Sequence, residues 1–155
     1  MRTLQQWFNE YAVSHQNPTN KAIHYICVPA IYFSIVGLLM SIPSQFIALT
    51  LKLNAPIIEN WAFIVLLFVL IFYARLSISM AFKIAILSAI CLVLNFYIGQ
   101  TVTLWIFSIG VFILAWIGQF YGHKIEGQKP SFLKDLQFLL IGPAWVVENM
   151  FSKKQ

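Results

Sequence analysis

Residues 84–123 read IAILSAICLVLNFYIGQTVTLWIFSIGVFILAWIGQFYGH, and they decide the fold. These 40 residues lie between Lys83 and Lys124 and contain no Asp, Glu, Lys or Arg. A helix crossing a bilayer needs about 20 mostly apolar residues. The run is therefore long enough for two crossings. Its natural break is Gly99-Gln100, a tight turn, which gives spans over 80–98 and 101–119. Toward the N-terminus, 15 uncharged residues separate Glu59 from Arg75. They hold a span over 57–73 if Ile57 and Ile58 join it and Glu59 reaches to the interface. A further 30 uncharged residues separate Lys21 from Lys52 and hold one span, over 22–41. Lipid cannot satisfy open backbone groups, so spans are helices or closed barrels. The alternation of barrel strands is missing here.

The two ends differ from this middle. Residues 136–147 form an apolar run of 12 between Lys134-Asp135 and Glu148, interrupted by Pro143. That is short for a crossing, and proline removes a helix donor. The segment 132–148 reads as a helix lying in the interface or dipping into it, with a fifth span as the alternative. In residues 1–16, Leu4, Trp7, Phe8 and Tyr11 recur at helical spacing among polar residues, which predicts an amphipathic helix on the membrane face. The expectation is an all-α chain, one integral membrane domain over 1–155. It is a polytopic bundle of about four spans with an N-terminal amphipathic helix and a C-terminal interfacial or re-entrant one.

Composition agrees. Hydrophobic residues make up 60% of the chain and charged residues 10%, against roughly 25% charge in a soluble domain. The net charge of +5 is spread over the ends of apolar runs. It reads as a topology signal with contact to anionic membrane lipid rather than as a nucleic-acid surface. Four spans would put Arg2, Lys21, Arg75, Lys83, Lys124, Lys129, Lys134, Lys153 and Lys154 on one side and Lys52 alone on the other. By the positive-inside rule both termini face the cytoplasm. The polar first 21 residues do not resemble a secretory signal. Small size and the lack of a retrieval signal favour a bacterial inner membrane over the endoplasmic reticulum. Cys27 and Cys91 lie in apolar runs and read as packing residues, not a disulfide. Oligomeric state is not legible.

His15, His24 and His123 are the three histidines, and this topology places all of them on the cytoplasmic face. Asn17-Pro18 is an N-cap and first-turn pair. A helix starting there puts Asn20 and His24 on one face and leaves His15 in the preceding loop. His123 and Glu126 share a face if the fourth helix continues past the membrane, which makes a usable half-site for a metal. Three imidazoles and a carboxylate suit Fe(II), Zn or a related ion. The blander alternative is that these polar residues only cap helices and line the interface.

The pattern Tyr11…His15-x-Asn17-x-x-Asn20-x-x-x-His24-x-x-x-x-Pro29, closed by Gln119-Phe120-x-Gly122-His123 and later Pro130, resembles the membrane 2-hydroxy fatty acid dioxygenase family. The tail Lys134-Asp135-Leu136 and Ile141-Gly142-Pro143 also fits. Fungal members place an acid four residues after the terminal histidine, whereas Glu126 stands three after His123. The resemblance implies Fe(II)- and O2-dependent α-oxidation of a 2-hydroxy fatty acid to CO2 and the acid one carbon shorter. It implies His15, His24 and His123 as metal ligands, with Glu126 beside them in the catalytic set. Asn17 and Asn20 would orient the imidazoles, and Lys21, Lys124 or Lys129 would hold the substrate carboxylate. The alternative from another class is a non-catalytic lipid-binding or scaffolding membrane protein.

Overall fold

The computed structural model describes residues 2–127 and 132–151, and among them it is all helical. Seven helices follow one another: α1 (Leu4–Val13), α2 (Pro18–Met40), α3 (Gln45–Leu51), α4 (Trp61–Leu76), α5 (Ile78–Gly99), α6 (Leu104–Glu126) and α7 (Phe132–Phe151). Helices α2, α5 and α6 are long and apolar enough to cross a membrane. Helix α4, with 16 residues, is shorter. The chain divides into two compact units, one of residues 1–32 with 113–155 and one of residues 33–112.

The second unit is built around a helical hairpin. Ser77 alone joins α4 to α5. It closes α4 with its backbone N–H on the Tyr73 carbonyl, and its hydroxyl accepts from Met80 N to start α5. Ala62, Leu66, Tyr73, Met80, Ile84 and Leu92 are buried. Phe68, Phe82, Ile90 and Tyr97 of the same helices are exposed. Apolar residues on an outer surface are what a lipid-facing helix presents. Asn95 is one of the polar residues buried inside, with Ser88 and Ser108: its Nδ2 donates to the Phe33 carbonyl at 3.1 Å and the Cys91 carbonyl at 2.9 Å.

The first unit holds α1, α7, the start of α2 and the end of α6. Helix α1 opens with a capping box, Thr3 and Gln6 each accepting from the other's backbone N–H. It buries Phe8 and Tyr11. Tyr11 meets Phe138 edge-on at 5.2 Å and Trp145 at 5.1 Å, so α1 packs on α7.

The structure departs from the sequence expectations at the start of α4 and at Pro143. The second apolar helix starts at Trp61, not at residue 57. Asn60 is the reason: its Oδ1 accepts from Phe63 N, while its Nδ2 donates to the Pro56 and Ile57 carbonyls. Glu59, just before this helix, is buried. It folds back and accepts from Leu53 N at 2.7 Å and Ala55 N at 3.1 Å. The connection after α2 contains the short helix α3. Pro143 does not break α7, which continues through it for 20 residues. One missing donor is tolerated where the neighbouring residues 141–147 are all buried.

Candidate metal centre

His15, His24 and His123 come from three different elements and meet in one place. His15 follows α1, whose last turn is closed by Ser14, and its backbone N–H bonds the Ala12 carbonyl. His24 lies in the second turn of α2 and His123 in the last turn of α6. Ring centroids are 4.3 Å apart for His15–His24, 4.9 Å for His24–His123 and 5.4 Å for His15–His123. One ligand atom from each ring lies within 4.8 Å of the other two. All three side chains are buried.

Hydrogen bonds fix the tautomers of two rings. His15 Nδ1 donates to the Tyr11 carbonyl at 2.7 Å, and His24 Nδ1 donates to the Asn20 carbonyl at 3.0 Å. A carbonyl can only accept, so the proton sits on Nδ1 and the lone pair on Nε2. Both Nε2 atoms are buried with no hydrogen-bond partner. Such an orphan acceptor costs about 1–3 kcal/mol. Burial holds the His15 pKa at about 4, below its ordinary 6.5, against the opposing effect of the Tyr11 carbonyl. A neutral imidazole with a free Nε2 and its other nitrogen tied to a carbonyl is the form that ligates metals. The donor set fits a transition-metal ion.

Around the histidines, packing is close. Tyr11 stacks flat on His15 at 4.0 Å. Trp145 of α7 stands 5.6 Å from His15 and 5.8 Å from Tyr25. On α6, Gly118 and Gly122 face α2. A Cβ at Gly118 would lie 2.6 Å from Cys27 Sγ, and one at Gly122 would strike Asn20 Oδ1 and stand 3.4 Å from His24 Cε1. Small residues four apart let helices approach closely. Here they bring His123 up to His24. Cys27 and Cys91 are both free thiols.

The other residues singled out from sequence fall as follows. Helix α6 runs past residue 119 to Glu126 and carries the carboxylate beside His123. Glu126 is not in the ligand cluster; its oxygens accept from Gln16 N at 2.7 Å, Asn17 N at 2.9 Å and Asn20 Nδ2 at 2.9 Å. The Asn17 side chain caps α2 by accepting from Thr19 N at 2.8 Å. Asn20 holds His24 through its backbone carbonyl, not through its side-chain amide. Lys21 is half-buried and close enough for its charge to act on His15. Lys124 is exposed, and Lys129 lies outside the described residues. Trp145 escaped sequence reasoning, because a tryptophan in an apolar run carries no sign of its target. The Gly118-x-x-x-Gly122 spacing was the signal that could have paired α6 with α2.

No curated protein and no solved structure matches the chain. One family model does, over residues 1–154, and its description is 2-hydroxy-palmitic acid dioxygenase Mpo1-like. A match across that length of the 155 residues shows that the chain belongs to the 2-hydroxy-palmitic acid dioxygenase Mpo1-like family.

Proposed function

We propose that this chain is a membrane-embedded, Fe(II)-dependent dioxygenase that shortens 2-hydroxy fatty acids by one carbon. The observation that carries the reading is the buried histidine cluster, in which two Nε2 lone pairs have no hydrogen-bond partner. The family name supports the substrate class. The overall reaction balances with one O2: the C1–C2 bond breaks, C1 leaves as CO2, and C2 passes from alcohol to carboxylic acid with one water formed. Iron, when bound, would supply O2 activation and a Lewis-acidic seat for the substrate's adjacent hydroxyl and carboxylate oxygens.

The remaining work falls to the chain. His15, His24 and His123 would hold the metal, and three protein ligands leave positions open for substrate. Burial keeps His15 neutral and ready to ligate. Lys21, whose charge acts on His15, would offset the substrate carboxylate. Tyr11 and Trp145 close apolar walls around His15 and exclude water from its ring. The acyl chain would lie among the apolar helices.

The same reading places the chain in a membrane by four crossings, α2, α4, α5 and α6, with both termini cytoplasmic and a bacterial inner membrane as host. Helix α4 spans about 24 Å of a hydrocarbon core about 30 Å thick, and the turn at 57–60 would make up the rest. The charge split of nine to one supports this orientation.

The test is conversion of 2-hydroxy-palmitic acid by protein purified in mild detergent, with Fe(II) and O2. The acid one carbon shorter should form in a 1:1 ratio with CO2. Formation that continues unchanged after substitution of any of the three histidines would refute the reading.

A further inference from the structure

We infer that Glu126 is a positioning residue: its carboxylate clasps the segments carrying all three histidines and so holds His15 in reach of the shared metal. The inference rests on the metal reading above and concerns how the site is kept assembled. Three N–H donors converge on this one carboxylate, from Gln16, Asn17 and Asn20, more than 100 residues away in sequence. Their positions matter. Gln16 directly follows His15. Asn20 lies one turn before His24 on α2, and His123 lies one turn before Glu126 on α6. Asn20 Nδ2 also donates to the Ser14 carbonyl at 3.2 Å. His15 is thereby held on both sides, through Ser14 before it and Gln16 after it.

His15 needs such a device more than its partners do. His24 and His123 sit on long helices, whereas His15 sits in the connection between α1 and α2. Its geometry depends on what fixes residues 14–17. An ionised carboxylate suits the task because it only accepts, and every group facing it donates. Glutamine at this position would turn an NH2 group toward N–H donors and leave at least one of them unpaired. The isosteric change should therefore behave like truncation, which a purely packing role for residue 126 does not predict.

The experiment titrates metal-free protein in mild detergent with Co(II), whose visible spectrum reports its ligands, alongside amide exchange at Gln16 and Asn17. Glu126→Gln and Glu126→Ala should each weaken Co(II) binding by about 10–100-fold, as loss of a supporting partner typically does. Both should alter the spectrum and speed exchange at the two amides. Lys52→Ala, in the connection between α3 and α4, should match wild type. Should Glu126→Ala not fold, Glu126→Gln alone decides. Wild-type affinity and spectrum in Glu126→Gln would overturn the clasp and leave the metal reading standing. A wild-type protein that takes up no Co(II) would instead bring down the metal reading, and the clasp with it.

Discussion

A buried imidazole whose acceptor nitrogen has no donor costs stability, and this protein keeps two such atoms, on His15 and His24, whose ring centroids lie 4.3 Å apart. At His24 the cost can be separated from the proposed metal binding. Leucine fills much of the same space and removes the orphan lone pair. His24→Leu should abolish metal binding while leaving the thermal midpoint of the metal-free protein unchanged or higher. A fall of several degrees in that midpoint would mean that His24 serves the fold instead. His15 gives a pH signature of defined sign. Its pKa is about 4 in the folded protein against an ordinary 6.5, with burial as the main cause. Above pH 6.5 neither folded nor unfolded state is protonated there, and stability is unaffected. As pH falls from 6.5 toward 4, the unfolded chain takes a proton that the folded chain refuses, so stability falls. The loss levels off below about 4 and is on the order of 3 kcal/mol. His15→Phe should remove that slope, which pH-dependent unfolding of the metal-free protein in detergent would reveal.

At the scale of elements, two glycines set the distance between α6 and α2. Gly122→Ala should push the helices apart at Asn20 and His24, weaken metal binding, and destabilise the protein by about 1–3 kcal/mol. Gly118→Ala meets Cys27 Sγ, so adding Cys27→Ala should restore much of what it loses. Gly110→Ala has nothing within 4 Å of its new Cβ and should be neutral. Equal effects at all three glycines in thermal unfolding would point to helix propensity rather than contact. The apolar runs made most of these helices legible, because charge marks where a span must end. The ends were less so. Asn60 moved the start of α4 through side-chain bonds that no hydropathy pattern records, and buried neighbours carried α7 through Pro143. For the site, the spacing Asn17, Asn20, His24 gave the helix and its face. The pairing of His24 with His123 depends on Gly118, read only as an ordinary residue of a span, and on Gly122, read only as one position of the family motif. That Glu126 shares a helix face with His123 was legible, while the three donors it faces become visible only when the chain is folded.

For the whole molecule, the account joins a membrane orientation to one metal site. Four crossings with cytoplasmic termini predict that reporter fusions at Gln155 report the cytoplasm and fusions near Asn54 report the far side. An external C-terminus would favour α7 as a fifth crossing. The proposed function stands on three histidines, from α2, α6 and the loop after α1, binding a single transition-metal ion. Elemental analysis of protein purified in mild detergent tests it most directly, with the wild type compared against His15→Ala, His24→Ala and His123→Ala. Iron should be present at near one equivalent per chain in the wild type and be close to absent from each variant. Wild-type protein without a transition metal after purification with iron supplied, or variants that retain a full equivalent, would contradict it.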